Sequence, residues 1–314
     1  MAGAPIGDDQ RAVILHLEDV YKTYDNRHVL DNIDLSVRQG ELCTLVGPSG
    51  SGKSTLLKLI LGQDQVTSGI LRIGEKPVGY PDRDRGIVYQ RYSLFPHLTV
   101  LDNVLLGKKL QAGFWRWHQE RAVERDEAMH YLERVRLGKH AGKYPHELSG
   151  GMQQRVAIVQ SLIMKPKILL MDEPFGALDP DTREELQLFL LELWDNQRMT
   201  VFFVTHDLEE AIFLGTRILV LSQYYTDDRG TGEQVNRGAR IVADHRLPQV
   251  ISATGAKTSP EFVGLIAQIR QEGFNPEHLQ HVNHFNLNHP DSFQTLTVEE
   301  SSRCSGKNHG CLDR

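Results

Sequence analysis

Short apolar runs recur along the first three quarters of the chain, and longer segments with a helical repeat lie between several of them. The segment Thr182–Asp195 shows the repeat, because its apolar residues are spaced three or four apart at Leu186, Phe189, Leu190 and Leu193. Strands that alternate with helices indicate a largely parallel sheet covered on both faces, in an α/β fold. The runs predicted to be strands are Leu42–Val46, Gly86–Tyr89, Ile168–Met171, Val201–Thr205 and Ile218–Ser222.

This alternation predicts one main domain over residues 13–248. Within it, the stretch Ala122–Arg136 has a helical repeat with Ala128, Tyr131, Leu132 and Val135 on one face, and it predicts part of a helical insertion. We place that helical subdomain at about 95–163. Thr226–Gly238 lacks a run of apolar residues and is predicted to be a polar hairpin loop.

The pattern changes after Pro248, and residues 249–314 are predicted to be an appendage rather than a second catalytic domain. Ser259 followed by Pro260 is a helix start signal, with a serine cap and a proline in the first turn. A helix is therefore expected at about 260–273, with an apolar face that packs either on the main domain or on a second copy of the chain. Asn, His and Ser dominate afterwards, and this predicts a flexible tail.

Composition and charge narrow the class of protein. The chain of 314 residues is 40% hydrophobic and 24% charged, which is typical of a soluble globular protein. Its net charge of -6 gives no basic surface for nucleic acid, so no nucleic-acid partner is expected. The sequence contains no run of about 18 apolar residues, so no membrane span is predicted. No secretory signal is visible at its start.

The three cysteines indicate a reducing compartment. Cys43 lies in an apolar run and is predicted to be buried, whereas Cys304 and Cys311 flank His309 in the polar tail. Their spacing fits no standard zinc pattern, and we interpret them as free thiols rather than metal ligands.

A glycine-rich loop carries the most specific chemistry. It has the form G-x-x-x-x-G-K-[ST], follows an apolar strand and opens a predicted helix at Ser54–Leu61. Its backbone N–H groups and the helix N-terminus would surround phosphates. Lys53 is predicted to reach the terminal phosphates, and the hydroxyl of Ser54 to ligate Mg²⁺. The residues expected to bind phosphate are Gly47, Pro48, Ser49, Gly50, Ser51, Gly52, Lys53, Ser54 and Thr55.

Two carboxylates, Asp172 and Glu173, end the predicted strand at Ile168–Met171. Strand ends of a parallel sheet meet at one edge, so these side chains are expected beside the phosphate loop. There, one carboxylate can hold Mg²⁺ and the other can orient or deprotonate a water molecule.

A second glycine-rich segment, Leu148–Arg155, precedes the acidic strand and opens a helix predicted at Met152–Met164. It offers either a second phosphate site at a helix N-terminus or a helix cap without a ligand.

With these motifs the chain resembles the nucleotide-binding subunits of ABC transporters over residues 13–248. The Leu-Ser-Gly-Gly signature, the phosphate loop and the acidic strand occur in that family's order. The resemblance extends to Gln90 in the Q-loop, Gly176–Asp179 in the D-loop, His206 as the switch histidine and Tyr24 as the aromatic residue on adenine. It implies a P-loop NTPase core with a mainly parallel sheet, an N-terminal antiparallel β region and a helical signature subdomain.

The resemblance also implies how such residues act. Two copies would pack head to tail and sandwich each ATP between one phosphate loop and the other copy's signature, formed by Ser149, Gly150, Gly151, Met152 and Gln153. Glu173 would be the general base and His206 would contact the γ-phosphate. The resemblance assigns the D-loop aspartate to Asp179 and the Mg²⁺ ligands to Ser54, Gln90 and Asp172.

Several features resemble importers, above all the ATPases of nitrate, sulfonate and taurine importers. We therefore expect permease subunits, a periplasmic substrate-binding protein, a small anion or organic solute, and a peripheral position on the cytoplasmic face of the bacterial inner membrane. An exporter or lipid-moving complex is the alternative, and a soluble ABC ATPase of DNA repair or translation is a third possibility. Leu94, Phe95 and Leu98 could dock a permease or belong to the core.

The sequence departs from the family pattern in three places. Met152 replaces the common glutamine of the signature, although methionine also occurs in import-type members. The loop Tyr224–Arg240 is longer than usual, and the segment after Gly273 has no counterpart that we can place.

Overall fold

A computed structural model describes residues 11–90, 94–176, 178–227, 238–247 and 259–295. Its centre is a seven-stranded sheet in which five neighbouring strands run parallel, as the apolar runs predict. One further strand pairs antiparallel at one side. In spatial order the strands are β13 (Asn286–Leu287), β11 (Arg240–Arg246), β9 (Arg217–Ser222), β3 (Leu42–Val46), β8 (Thr200–Val204), β7 (Ile168–Asp172) and β6 (Arg85–Val88).

A second, antiparallel sheet lies at the N-terminal end of the chain, as expected for this fold class. In spatial order it contains β2 (Arg27–Arg38), β1 (Val13–Tyr24), β4 (Ser68–Ile73) and β5 (Lys76–Pro77). The register of β1 and β2 shifts near the middle of the pair, where Asp19 and Asn32 have positive φ angles of 53° and 48°. The paired residues Tyr24 and Arg27 close the β1–β2 hairpin at a tight turn.

In the described part of the chain, six α-helices connect or cover the strands. They are α1 (Lys53–Leu61), α2 (Val100–Arg134), α3 (Gly150–Leu162), α4 (Pro180–Gln197), α5 (Leu208–Leu214) and α6 (Pro260–Gly273).

Side-chain caps explain where five of these helices begin. Each cap is a Ser, Thr or Asp whose oxygen accepts a hydrogen bond from a backbone N–H of the first turn, which has no partner inside the helix. The caps are Thr99, Ser149, Asp179, Asp207 and Ser259. The cap at Ser149 starts α3 at Gly150, two residues before the predicted start at Met152.

Helix α2 is interrupted at Gly113, where φ is 70° and ψ is 172°. The two halves fold back on each other, which brings Lys108 in the first half into ion pairs with Glu124 and Glu127 in the second. The predicted helical insertion is therefore a helical hairpin. Within the described ranges, no helix is both long enough and apolar enough to cross a membrane.

The central sheet is buried on both faces. Successive side chains of a strand point to opposite faces, so each strand contributes to the packing on both sides. On β8, Phe202 and Val204 pack with β1, β2 and α1, while Val201 and Phe203 pack with α2, α3 and α4. A third apolar cluster joins α5 and α6 to β9 and β11, and there Phe262 and Ile269 are fully buried. Helix α6 thus packs on the main domain, one of the two surfaces expected for its apolar face.

The prediction of a flexible tail directly after Gly273 is wrong for residues 274–295, which are part of the folded body. Strand β12 (Gln280–His281) pairs with β10 (Tyr225–Thr226), and β13 extends the central sheet next to β11. Backbone hydrogen bonds and ion pairs hold this polar segment, and neither produces a hydrophobic repeat that a sequence could reveal. Residues 296–314, with Cys304, His309 and Cys311, and most of the predicted loop Thr226–Gly238 lie outside the described residues.

Candidate functional site

The phosphate loop lies between β3 and α1, at the carboxyl edge of the central sheet. Gly47, Gly50 and Gly52 have φ angles of 153°, 80° and 87°, in the region that favours glycine. A Cβ atom at Gly47 would lie 2.0 Å from the carbonyl oxygen of Leu221, and one at Gly52 would lie 2.7 Å from a methyl group of Leu30. Backbone conformation therefore favours glycine at all three positions, and close packing against the Leu221 backbone requires it at Gly47.

The polar groups inside this loop suit a phosphate ligand. The Nζ atom of Lys53 donates hydrogen bonds to the carbonyl oxygens of Gly47 and Pro48, at 2.8 and 2.9 Å. Burial lowers the pKa of Lys53, and the nearby carboxylates of Glu173 and Asp172 oppose that shift. Among the described residues, none forms a hydrogen bond with the buried hydroxyl of Ser51. A phosphate group would satisfy both the partly desolvated ammonium and this hydroxyl.

Asp172 ends β7 and lies beside the first turn of α1. Burial raises the pKa of its carboxyl group, a hydrogen bond from Ser54 lowers it, and the charge of Glu173 raises it further. The hydroxyl of Ser54 and the carboxylate of Asp172 are therefore neighbours. They form a set of hard oxygen donors of the kind that Mg²⁺ prefers.

Three polar side chains meet where β6, β7 and β8 end. The carboxylate of Glu173 accepts a hydrogen bond from Nε2 of Gln90 at 3.1 Å and lies 3.4 Å from Nδ1 of His206. The φ angle of Glu173 is 47°, and its backbone N–H donates to the carbonyl of Val204 at 3.0 Å. This turn directs the carboxylate toward its two neighbours. The structure thus brings together three of the residues that were assigned to catalysis and Mg²⁺.

Tyr24 lies at the end of β1 and is 40% exposed. Its hydroxyl group donates to the carboxylate of Asp64, and the Nζ atom of Lys22 lies 4.5 Å from the centre of its ring. Burial and the Asp64 carboxylate raise the pKa of Tyr24, while a hydrogen bond with Thr55 lowers it. The exposed ring therefore stands next to the last residue of the phosphate loop.

No sequence motif marks Lys22 and Asp64 as partners of this aromatic ring. Lys22 is two residues before Tyr24 on the same strand, so alternation of side chains could have placed both on one face. Asp64 follows the end of α1 and belongs to no motif. Only the fold brings it to the ring.

The signature residues form a separate group. Ser149 accepts a hydrogen bond from the N–H of Met152 at 3.4 Å, and the side chain of Gln153 donates to the carbonyl of Leu148 at 3.2 Å. A Cβ atom on Gly151 would touch Leu178, in the D-loop segment. Across the described part of the chain, no hydrogen bond connects the signature residues, 149–153, with the phosphate loop, 47–55. The two predicted phosphate sites are thus distinct within one copy.

Asp179 belongs to this second group. It caps α4 by accepting a hydrogen bond from the N–H of Thr182 at 3.0 Å, and this bond lowers the pKa of its carboxyl group. Arg155, on α3, contributes a favourable charge to the same carboxylate.

Comparison with known proteins identifies the family. A family model described as ABC transporter matches residues 30–176. The nitrate import ATP-binding protein NrtD of Synechocystis sp. is 49% identical over 193 residues, which are 62% of this chain and 70% of that protein. This chain belongs to the ABC transporter family. The taurine import ATP-binding protein TauB of Rhizobium johnstonii is 41% identical over 249 residues, covering 77% of this chain and 88% of the relative.

Solved structures support the fold as well. The dimeric structure of MJ0796, a bacterial ABC transporter cassette, is 33% identical, with a TM-score of 0.64 over 75% of this chain and 99% of that one. A post-hydrolysis state of the same cassette, bound to ADP and phosphate, is also similar, with a TM-score of 0.61. This ABC protein therefore binds nucleotide and is an ATPase.

Proposed function

We propose that this ABC ATPase is the energising subunit of a bacterial importer for a small anion or organic solute. The likeness to the nitrate and taurine import ATP-binding proteins, over most of their length, carries the proposal. In this role the chain would bind permease subunits at the cytoplasmic face of the membrane, and a periplasmic binding protein would deliver the solute. No observation on the described residues favours an exporter.

We assign the ATP phosphates to the phosphate loop and the adenine to the exposed ring of Tyr24. The close approach of Leu221 to Gly47, together with the buried Lys53 and Ser51, leaves a polar concave loop that fits phosphate. Mg²⁺ would be held by the oxygen atoms of Ser54, Asp172 and Gln90. When bound, the ion would neutralise charge that develops on the phosphates.

In the proposed reaction, Glu173 accepts a proton from a water molecule whose oxygen bonds to the γ-phosphorus. The bond between the γ-phosphorus and the bridging oxygen breaks, and ADP leaves with that electron pair. Gln90 and His206 both contact the Glu173 carboxylate, so they keep it oriented toward the phosphates. His206 is mostly exposed and can turn to donate a hydrogen bond to the γ-phosphate.

We further propose that each ATP site is shared between two copies in a head-to-tail dimer. In one copy the signature at Ser149–Gln153 makes only local hydrogen bonds among the described residues and leaves a capped helix start on the surface. The dimeric structure of the related cassette is consistent with pairing of two chains. The signature of one copy would then bind the phosphates held by the other.

Mixing two inactive variants tests the shared site. Lys53→Ala removes the phosphate-loop cation, and Ser149→Arg blocks the signature, so neither variant alone has an intact site. A mixed dimer combines the loop of one chain with the signature of the other. Because random assortment makes half of the dimers mixed and each has one intact site, coexpression should restore about one quarter of wild-type turnover.

The matched control mixes Lys53→Ala with Glu173→Gln. Both residues lie on the same side of the proposed site, in one chain. No mixed dimer then contains a complete site, and turnover should stay at background. Equal activity in the two mixtures would contradict the shared arrangement.

The importer role is tested by purifying the chain together with its membrane subunits in lipid vesicles. A solute-loaded binding protein on the far side should raise ATP turnover several-fold, because docking favours closure of the two ATPase copies. The same preparation without binding protein is the control. Outward movement of solute that ignores the binding protein would support an exporter instead.

A further inference from the structure

The segment Asn286–Thr295, which we call the strap, connects the two sheets. Its first residues form β13, which pairs with Ala243 and Asp244 of β11. The backbone N–H groups of Asn288 and His289 then both donate to the carbonyl oxygen of Asp244, at 3.0 and 3.1 Å. These bonds end the pairing and direct the strap away from the central sheet.

The rest of the strap is bound to the N-terminal sheet by specific polar contacts. Two nitrogen atoms of Arg38 donate to the two oxygen atoms of Asp291, at 2.7 and 2.5 Å. The backbone N–H and the hydroxyl of Thr295 donate to the carboxylate of Asp34, at 2.5 and 2.8 Å. The ring of Phe293 stacks on the ring of His16. A paired, bidentate arginine contact of this kind fixes orientation as well as distance.

These contacts lie on the part of the β1–β2 hairpin away from its turn, and Tyr24 lies at the turn. Asp34 also accepts a hydrogen bond from the N–H of Asp19 at 2.7 Å, so the strap reaches both strands where their register shifts. Closer to the turn, where it pairs with Lys22, Leu30 is fully buried, forms a backbone bridge with Ala239 and packs against the phosphate loop. The hairpin is thus held near its turn by the core and farther from the turn by the strap.

We infer that Asp291 and Thr295 are positioning residues that set the tilt of the β1–β2 hairpin about Leu30 and so place Tyr24 for the adenine ring. The inference rests on the proposed adenine contact of Tyr24. The phosphate loop, held by Leu30 and Leu221 on the core side, keeps its shape without the strap. Loss of the strap contacts therefore weakens recognition of the base and leaves recognition of the phosphates intact.

The test compares ATP with inorganic tripolyphosphate, which has the phosphates and lacks the base. Asp291→Asn and Thr295→Ala should each raise the Kd and the KM for ATP about five-fold, the effect of losing part of a base–aromatic stacking contact. Saturated turnover and the Kd for tripolyphosphate should stay at the wild-type values. Asp291→Glu keeps the charge toward Arg38 and should restore most of the ATP affinity.

Arg116→Gln is the control, since it removes an ion pair with Glu120 on the exposed helical hairpin. A general loss of folding would weaken ATP and tripolyphosphate alike, and that result would overturn the inference. Unchanged ATP affinity in both Asp291→Asn and Thr295→Ala would also overturn it.

Tyr24→Ala separates the strap inference from the proposed adenine contact. If Tyr24→Ala leaves the Kd for ATP unchanged, the adenine contact itself is wrong. If it weakens ATP while the strap variants do not, only the strap inference fails.

Discussion

Replacing Glu173 with glutamine should reduce ATP turnover by at least about one hundred-fold, the usual contribution of a general base. Glutamine has nearly the same shape, so the contacts with Gln90 and His206 can persist. Its amide cannot accept the proton of the attacking water, and hydrolysis slows for that reason. ATP binding should remain, because the phosphate loop does not use this side chain, and an ATP-bound dimer should accumulate.

The measurement combines steady-state ATP turnover with size-exclusion chromatography in the presence of ATP and Mg²⁺. Glu75→Gln, an exposed glutamate in the turn before β5, makes the same chemical change away from the site. It should match wild type in both assays. Wild-type turnover in a clean Glu173→Gln preparation would rule out Glu173 as the base.

Arg217→Met should lower the free energy of unfolding by about 3–5 kcal/mol, the typical cost of breaking a buried ion pair. Arg217 is only 1% exposed and joins three parts of the fold. Its guanidinium group donates to both oxygen atoms of Asp244, at 2.8 and 2.6 Å, to Glu41 at 3.1 Å and to the carbonyl of Ser36 at 2.7 Å. The variant leaves two poorly hydrated carboxylates without their cation.

Urea unfolding measured at pH 7 would check this prediction. Arg116→Met, which breaks an exposed pair, should leave unfolding unchanged. A deficit below about 1 kcal/mol would show that water reaches the pair.

The sequence was sufficient for the parts of the fold that depend on local pattern. The five parallel strands appear as apolar runs because both faces of the sheet are buried. The phosphate loop is recognisable because the backbone of Leu221 leaves no room for a side chain at Gly47, and the positive φ angle at Gly52 favours glycine. Asp172 and Glu173 could be placed beside the phosphate loop, because neighbouring parallel strands end at one edge, whereas the family resemblance pointed to His206. Their roles in catalysis remain predictions.

Other features depend on contacts between distant residues, and no local pattern encodes them. Lys22 and Asp64 flank Tyr24, although 42 residues separate them in the chain. The pairing of Arg38 with Asp291 spans 253 residues and occurs in a segment that the sequence suggests is flexible. Polar side chains are compatible with both an exposed tail and a hydrogen-bonded strap. The two can be distinguished only when the surface that the strap contacts, on β1, β2 and β11, is known from the fold.

The fold-back at Gly113 has a consequence for how this chain can be altered. Lys108 closes the helical hairpin below the turn by pairing with Glu124 and Glu127. A Cβ atom added at Gly113 would have no neighbouring atom within 4 Å. Extra residues at this turn would extend into solvent, while the ion pairs below it keep the register of the two helices. The tip is therefore a place where the chain tolerates a change of length, and where a fluorescent reporter can be grafted without touching the ATP site.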